Sequence, residues 1–386
     1  MLKRTNQLEV KMLHIVREGG GLGCPCGLMK LRGLLGIEDV KEHVMVLGRQ
    51  AILEECEELG IEGVERIGTP GGSGVSGFWT IRKRMRELGN VDVVSCDDVG
   101  VLWAVDRVMR GAKKILWVSK LPVGRRLWWL RKYFGKRGGG RGICVIAVST
   151  EAMKGQLMKL GFDGEMIRVI GVGVNEGKIE RNEDVLKKLR VKWGAVGKEM
   201  DCFVVGVMSD RPMESDTRLV SLAGGTASIV MQSKLGKAWQ LRVLINPTHL
   251  YRDRSINLND EFGHVGLLVQ ERGTSRGWEI GAGCDALLVV GETSEDSLAW
   301  ACASGKPVMC ENDPRLRELV GAEESGVVMF EGNDLRKPSD QITKWAMDGG
   351  MREVNGKQSR EWALKRFGLS EQRERFGMVI RELCGA

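Results

Sequence analysis

Short apolar runs alternate along the whole chain with longer stretches whose apolar residues recur at helical spacing. A run that is apolar on both faces is typical of a strand buried in a parallel sheet. In the first half we predict strands at Met12–Val16, Val44–Leu47, Val91–Cys96, Lys114–Val118, Ile143–Val148 and Arg168–Ile170. In the second half we predict them at Phe203–Met208, Leu241–Ile245, Val265–Val269, Ala286–Val290, Val308–Cys310 and Val327–Phe330. Strands that alternate with helices predict an α/β protein with parallel sheets covered on both faces.

The same patterns divide the chain into two halves. Helical patterns lie between strands of the first half, for example at Ala51–Leu59, Phe78–Leu88 and Val99–Met109. The polar, lysine-rich stretch Glu176–Lys198 has no strong strand signal and predicts a linker with one helix. We therefore place a first domain at 1–175, the linker at 176–198, a second domain at 199–358 and a helical tail at 359–386.

The segment Trp278–Val328 predicts a βαβ unit. Asp285–Val290 is a short apolar run typical of a buried strand, and Thr293 or Ser294 can cap the helix that follows. Glu295 and Asp296 lie in the first turn of that helix, where the macrodipole favours negative charge.

Two further signals mark the end of this helix and the start of another. Gly305 ends the first helix, and Pro307 opens the next apolar run. Asn312 or Asp313 then caps a second short helix with Pro314 at its first position. In such units the helix N-termini lie at the carboxyl end of a parallel sheet, where phosphates bind.

The composition is that of an ordinary globular protein of two domains. The chain has 386 residues, of which 42% are hydrophobic and 28% are charged. No apolar run approaches the ~20 residues that a membrane span needs, and the charged N-terminus predicts no signal peptide. The ten cysteines lack zinc spacing, which favours reduced thiols in a cytoplasmic protein without a metal site. The net charge of +7 favours anionic partners such as nucleotide phosphates or acidic lipids.

Several segments resemble the GT-B glycosyltransferases, and especially the large retaining group called family 4. Ala301–Val308 matches the motif A-M-A-x-G-x-P-V of that family. Asp313–Val320 and Gly326–Val328 match the stretches that follow this motif. Ile146–Met153 and Ile167–Asn175 match segments at the end of the family's first domain.

This resemblance implies a GT-B fold, in which two Rossmann-like, doubly wound domains face a cleft and the second binds the donor. It implies transfer of a sugar from a nucleotide-diphosphate sugar, of UDP or GDP type, with retention of configuration. The implied acceptor is a glycan or a lipid-linked molecule, and no cofactor or obligatory metal is implied. The last helix of the family packs back on the first domain, so we expect the same of residues 359–386.

The resemblance also implies two catalytic residues. Arg211 follows the first strand of the second domain, where the family uses an arginine to bind the donor diphosphate. Glu292 stands in the place of the first of two glutamates that the family carries eight positions apart. A cation aimed at a departing diphosphate supplies much of the catalysis in such a reaction.

Further donor contacts are predicted in two places. Glu295, Ser297 and Leu298 lie at the start of the helix in the matched region, and Glu295 can replace a missing glutamate if the loop is shifted. Gly21 and Gly23 belong to a glycine-rich turn after the first strand, where glycine lets a ligand approach the backbone closely.

Three positions depart from the family pattern. Trp300 stands where the family has its second, ribose-binding glutamate, and an indole cannot accept two hydroxyl hydrogen bonds. Asp216 stands where a diphosphate-binding lysine is expected, and Ser119 where many members have a histidine. These departures favour an alternative, a non-catalytic GT-B protein that binds a sugar nucleotide or a partner enzyme.

Asp97 and Lys120 are the candidates for contact with the acceptor, because each follows a predicted strand of the first domain. Asp97 and Asp98 can equally cap the next helix, and we favour capping. His14 lies inside the first strand, which favours a packed histidine over a catalytic one.

The segment Gly124–Arg141 combines several cations with aromatic residues. One alternative for such a helix is that it rests on an anionic membrane, as a peripheral contact on the inner face where a lipid-linked acceptor would be found. Its residues Leu127, Trp128, Leu130 and Phe134 also stand at spacings that serve an ordinary core face. No nucleic-acid motif accompanies it.

A second glycine-rich stretch, Gly72–Gly77, fits the dinucleotide fingerprint G-x-G-x-x-G. It follows a short strand at Val64–Ile67 rather than the first strand, and Thr69–Gly77 is predicted to be a loop. An NAD-dependent oxidoreductase is therefore the weaker alternative.

Overall fold

The computed structural model describes two compact units. One comprises Met1–Gly173 together with Leu369–Ala386, and the other comprises Val174–Gly368. Within them the structure describes residues 10–17, 31, 34–47, 53, 56–57, 60–67, 75–109, 111–119, 121, 124–134, 144–174, 187–188, 190–191, 202–208, 240–245, 268–270, 281, 283–290, 295–321, 325–332, 334 and 336–385.

The first unit contains a parallel sheet of seven strands. These are β1 (Val10–Arg17), β2 (Val40–Leu47), β3 (Val64–Ile67), β4 (Val93–Cys96), β5 (Lys113–Trp117), β6 (Cys144–Val148) and β7 (Ile167–Val169). Their order in the sheet is β3-β2-β1-β4-β5-β6-β7. Strands β2 and β3 therefore lie on one side of β1, and β4 to β7 lie on its other side.

The second unit repeats this topology with six parallel strands. These are β8 (Cys202–Met208), β9 (Gln240–Ile245), β10 (Leu268–Gln270), β11 (Ala286–Val289), β12 (Val308–Glu311) and β13 (Val328–Phe330), in the order β10-β9-β8-β11-β12-β13. The predicted α/β class with two doubly wound parallel sheets is confirmed. Every predicted strand overlaps an observed one, because runs that are apolar on both faces fit only the interior of such a sheet.

Nine α-helices have bounds within the described part of the chain. The first unit has α1 (Val75–Leu88), α2 (Val99–Val108), α3 (Gly124–Phe134), α4 (Glu151–Lys159) and α9 (Leu369–Cys384). The second has α5 (Glu295–Ala303), α6 (Pro314–Val320), α7 (Arg336–Met347) and α8 (Gly349–Arg366). Residues 187–188 and 190–191 of the predicted linker are also helical.

Polar caps explain where several of these helices begin. The Thr150 hydroxyl accepts a hydrogen bond from the Met153 amide at 3.2 Å, and the Asp348 carboxylate accepts one from the Met351 amide at 2.9 Å. Each cap satisfies an amide that the first turn would otherwise leave without a partner.

Two sequence predictions about helices need correction. Residues 75–77 were expected in a loop, but they form the first turn of α1, since a helix tolerates a glycine such as Gly77 at a cost of about 1 kcal/mol. The helical tail is two helices, α8 and α9, separated at Phe367 and Gly368. The bridge between Val174 and Gly368 interrupts the helical pattern there.

The two faces of the first sheet have different partners. Residues such as Leu13, Val94 and Leu116 form one apolar core with buried residues of α1, α2, α3 and α4. The alternate residues of the strands point to the other face, where Trp117 and His14 lie 5.4 Å and 6.3 Å from the ring centroid of Phe376 in α9. His14 is fully buried, which confirms that it is a packed histidine.

The face of α3 was only partly predicted. Leu130 is completely buried as expected, but Trp128 is 55% exposed and does not belong to the core face. Leu127 and Leu130 are three residues apart and share one side of the helix, whereas Trp128 lies with Lys132, four residues on, on another side.

The described cysteines behave as structural thiols. Cys284, Cys302 and Cys310 are buried, and burial raises the pKa of each thiol above its usual value. They therefore stay protonated at neutral pH and are poor nucleophiles.

Candidate functional site

Both units have a topological switch point beside their first strand. In doubly wound sheets, ligands bind at the carboxyl ends of the two strands that flank this point. The flanking strands are β1 and β4 in the first unit, and β8 and β11 in the second. The polar residues that follow these four strands are therefore the candidates for binding.

Several predicted site residues lie outside the described part of the chain. These are Gly21 and Gly23 after β1, Lys120 after β5, Arg211 after β8 and Glu292 after β11. In the sequence each of them follows its strand within about six residues, and their contacts stay predictions.

Helix α5 follows β11 and begins at Glu295, as the sequence predicts. All nine of its residues are buried, including Glu295 at 1%, Asp296 at 6% and Ser297 at 2% exposure. Leu298 is completely buried, so its side chain belongs to the core. The first turn of α5 thus carries three buried polar side chains at the carboxyl end of the sheet.

The charge of this first turn affects which ligands it favours. The carboxylates of Glu295 and Asp296 are stabilised by the positive end of the helix dipole. A negative charge on either carboxyl group would weaken the attraction of that end for a diphosphate. A donor diphosphate bound here would therefore depend on an additional cation, and Arg211 is the candidate that the sequence supplies.

Trp300 occupies the middle of α5. It is 4% exposed, and its indole N–H has no hydrogen-bond partner among the described residues. An indole donates one hydrogen bond and accepts none, whereas a glutamate accepts from both ribose hydroxyls. Trp300 therefore cannot accept the two hydrogen bonds from the ribose that the resemblance implies for a glutamate at this position.

Helix α8 packs against the C-terminal end of α5. The Arg360 guanidinium donates a hydrogen bond to the Ala303 carbonyl at 2.6 Å, and a cation at a helix C-terminus is favourable. Gly305 ends α5 with a positive φ of 72°. A Cβ at Gly356 would stand 2.3 Å from the Gly305 carbonyl oxygen, so the two backbones approach as closely as glycine allows.

Helix α6 begins at the carboxyl end of β12. Asp313 caps it, with Pro314 at the first position, as predicted. The Asp313 carboxylate accepts from the Arg315 amide at 2.8 Å and from the Arg315 side chain at 3.1 Å. Burial alone would raise the pKa of Asp313, but these hydrogen bonds outweigh burial and hold the pKa below its usual value.

Asp313→Asn is expected to lower the free energy of unfolding by about 1 kcal/mol at neutral pH, because the ion pair with Arg315 is lost. The folded pKa of Asp313 is depressed, so its contribution is present above the ordinary pKa of about 4 and disappears as the pH falls through the folded value. Urea unfolding at neutral and acid pH measures this. Asp340→Asn, at a 58% exposed side chain, is the control. If Asp313→Asn lowered the free energy of unfolding equally at both pH values, the depressed pKa of Asp313 would be contradicted.

At the switch point of the first unit, Arg17 ends β1 and two aspartates follow β4. The Arg17 amide donates to the Asp97 carboxylate at 3.2 Å, and the Arg17 side chain donates to Asp98 at 2.7 Å. Asp98 accepts from the Gly100 amide at 2.7 Å and from the Val101 amide at 3.1 Å, which confirms capping for this residue. Asp97 stays a predicted acceptor contact.

Arg17 is a site residue that the sequence reasoning missed. Its side chain is 38% exposed beside the crevice, and it links the ends of β1 and β4. The sequence does contain a signal for Arg17, since it is the first charged residue after the apolar part of the first predicted strand. Its importance depends on β4 being the neighbour of β1, which only the sheet order shows.

The second glycine-rich stretch does not lie at either switch point. It follows β3, which is the edge strand of the first sheet. A dinucleotide fingerprint functions at the turn after the first strand, where the pyrophosphate reaches the crevice. The position of Gly72–Gly77 therefore disfavours the NAD hypothesis.

Among the residues that the structure describes, no group of three or more His, Cys, Asp or Glu side chains could hold a metal ion. No helix among these residues is long and apolar enough to cross a membrane.

Comparison by sequence gives no match to any protein-family model or curated protein. By structure, the chain is similar to HepE of Anabaena in complex with UDP-glucose, with a TM-score of 0.73 at 15% identity over 96% of this chain and 99% of that one. Sucrose-phosphate synthase of Thermosynechococcus elongatus gives 0.66 at 11% identity, over 97% and 99%. A putative UDP-N-acetylglucosamine 2-epimerase of Listeria monocytogenes gives 0.60 at 14%, over 97% and 96%.

These similarities establish the GT-B fold for this chain. At such low identity they show the fold alone, and the same fold serves transferases and a putative epimerase. The activity has to be argued from the residues of the site.

Proposed function

We propose that this chain is a retaining glycosyltransferase that moves a sugar from a nucleotide-diphosphate sugar to a glycan or lipid-linked acceptor. One observation carries the proposal. The segment Ala301–Val308, which matches the donor-binding motif of the GT-B transferases, forms the end of α5 and the start of β12, and α5 begins at the switch point of the second unit. This is where a doubly wound sheet binds a nucleotide phosphate.

The departing nucleotide diphosphate gains negative charge during the reaction, so stabilising it is the main task of the site. Arg211 would supply the cation, and the amide groups at the start of α5, including that of Ser297, would supply hydrogen bonds. Glu292 and Glu295 would accept hydrogen bonds from the sugar hydroxyls. No metal or other cofactor is required by this scheme.

The acceptor would bind at the switch point of the first unit. Asp97 and Lys120 are the proposed contacts, because both follow strands that end near this crevice. Arg17 already orders the adjacent backbone through Asp97 and Asp98. A hydroxyl of a glycan or of a lipid-linked sugar can donate a hydrogen bond to the Asp97 carboxylate.

One observation favours a second candidate, a GT-B protein that binds a sugar nucleotide without turning it over. Trp300 is buried in α5 and replaces the ribose-binding glutamate of the resembling family. Loss of that contact weakens donor binding, and the acidic first turn of α5 adds repulsion. Binding and turnover therefore need separate tests.

Binding is tested by thermal unfolding with UDP, GDP and NAD. A ligand of the native state at one hundred times its Kd adds about 2.7 kcal/mol, which raises the melting temperature by roughly 5 °C. We expect this shift with UDP or GDP and none with NAD. A shift with NAD alone would refute both GT-B candidates. A shift with UDP or GDP, without release of nucleotide from any donor sugar in the presence of glycan or lipid acceptors, would select the binding protein.

A further inference from the structure

Helices α1, α2 and α3 form one outer layer of the first unit. Helix α1 packs against α2, and α2 packs against α3. Their inner sides contribute Met85, Leu102 and Leu130 to the core beneath them. The opposite sides of these three neighbouring helices therefore form one continuous outer surface.

The outer side of α3 carries an exposed indole among cations. Trp128 is 55% exposed, and the Lys132 ammonium lies 5.1 Å from the centroid of its ring. Arg131 is also exposed, and Leu121, just before the helix, is 38% exposed. An indole beside an ammonium presents an apolar body together with a positive charge.

The same chemistry continues across α2 and α1. On α2, the Arg107 guanidinium lies 3.9 Å from the centroid of the Trp103 ring. On α1, a shallow cavity of about 300 Å³ is lined by Arg82, Lys83, Arg86 and Glu87. Three cations and one carboxylate at its edge leave a positive potential that suits a phosphate.

The sequence around α3 is rich in cations. Between Asp106 and Glu151 the sequence contains twelve lysines and arginines and no acidic residue, although the net charge of the whole chain is only +7. Among the described residues of this stretch, Arg107 on α2 and Arg131 and Lys132 on α3 are exposed, whereas Lys114 is fully buried and paired with Asp106. A local density of this kind creates a field that the average charge of the protein does not reveal.

We propose that this surface, here called the cationic face and defined by Lys83, Arg86, Arg107, Trp128 and Lys132, docks on a bilayer that contains anionic phospholipids. Each lysine or arginine near such a bilayer strengthens binding about fivefold. Tryptophan prefers the boundary between headgroups and acyl chains, where its ring is apolar and its N–H is hydrated.

The arrangement of the aromatic residues favours a membrane over nucleic acid. Single-stranded nucleic acid is held by successive aromatic rings on which bases stack. On the cationic face, Trp103 and Trp128 belong to different helices, and each ring is paired with a cation of its own helix. Neighbouring helices whose indoles are separated in this way suit a bilayer surface better than a strand of stacked bases.

This inference adds a partner to the proposed function, and only the link to the acceptor rests on that function. A transferase held on a bilayer by its first unit, the unit with the proposed acceptor crevice, would meet acceptors in the plane of the lipid. The acceptor class would then be lipid-linked. Docking itself needs neither donor nor turnover, so the two ideas fail separately.

The experiment is sedimentation of the full chain with phosphatidylcholine vesicles, with and without phosphatidylglycerol. We expect binding only to the anionic vesicles, and release by salt. The double variant Lys83→Glu with Lys132→Glu should lower the partition coefficient at least about 25-fold, from about fivefold for each lost cation. Trp128→Ala should lower it as well.

The matched controls are variants with comparable changes at exposed side chains of the second unit. Arg336→Glu with Lys357→Glu alters the net charge equally, at side chains that are 88% and 75% exposed, and Met347→Ala removes an exposed apolar side chain. These controls should bind like the wild type. Unchanged melting temperatures show that each variant is folded.

Three outcomes would overturn the proposal. These are equal binding to neutral vesicles, an equal loss in the control double variant, and displacement of the anionic vesicles by single-stranded RNA at matched phosphate concentration. The last result would assign the cationic face to nucleic acid.

Discussion

Arg211→Ala is expected to lower the rate of sugar transfer about a hundredfold to a thousandfold, the usual loss when one charge-stabilising group is removed from a reacting centre. The physical reason is the electrostatics of α5. Its first turn encloses the carboxylates of Glu295 and Asp296, so the helix end alone attracts a diphosphate weakly. A cation contributed after β8 would balance the charge of the leaving group.

The measurement is the steady-state rate of nucleotide release from the donor that gives the largest thermal shift, with saturating acceptor. Because the negative charge grows toward the transition state, kcat should fall more than the affinity for UDP. Arg336→Ala, at an 88% exposed side chain of the second unit, is the matched control and should leave the rate unchanged. A rate that Arg211→Ala does not alter would remove Arg211 from the mechanism.

Gly356→Ala is expected to lower the free energy of unfolding of the second unit by about 3 kcal/mol. The added Cβ would lie 2.3 Å from the Gly305 carbonyl oxygen and 3.0 Å from its carbonyl carbon. Both are backbone atoms that cannot rotate away, so α8 must move off the loop that follows α5. The same shift would strain the hydrogen bond from Arg360 to Ala303.

The matched control has the opposite expected sign. Gly155 also lies inside a helix, α4, and a Cβ there meets nothing within 4 Å. Gly155→Ala should therefore stabilise the protein by about 0.5 to 1 kcal/mol, the ordinary gain from replacing glycine within a helix. Denaturant unfolding of both variants tests the pair. A stabilising Gly356→Ala would mean that α8 does not approach Gly305 this closely.

The strand and helix pattern was largely predictable from the sequence. The apolar run at Ala286–Val290 and the cap at Asp313 with Pro314 each encode their structure within a few residues. The burial of α5 was less evident, since Glu295 and Asp296 are ordinary surface residues in most helices. Helix α5 as a whole packs against β11, β12 and α8, and α8 begins some fifty residues later in the chain.

In α3, too, the sequence predicted the buried side of the helix but not the exposed one. A helix with Leu127 and Leu130 predicts a buried side, and Leu130 is buried. Periodicity gives no information on what lies next to the helix, so it did not separate Trp128 from the core. The packing of α2 against α3 decides which turns are covered.

By itself the sequence determined the α/β class, the boundaries of most strands, several helix caps and a segment that resembles the donor region of GT-B transferases. These features depend on periodicity and on hydrogen bonds between residues close together in the chain. Only the tertiary structure decided that β1 lies beside β4, that Arg17 meets Asp98 and that Gly356 must be a glycine. Such contacts join residues that are tens of positions apart, and they arise from strand order and helix packing, which no local pattern encodes.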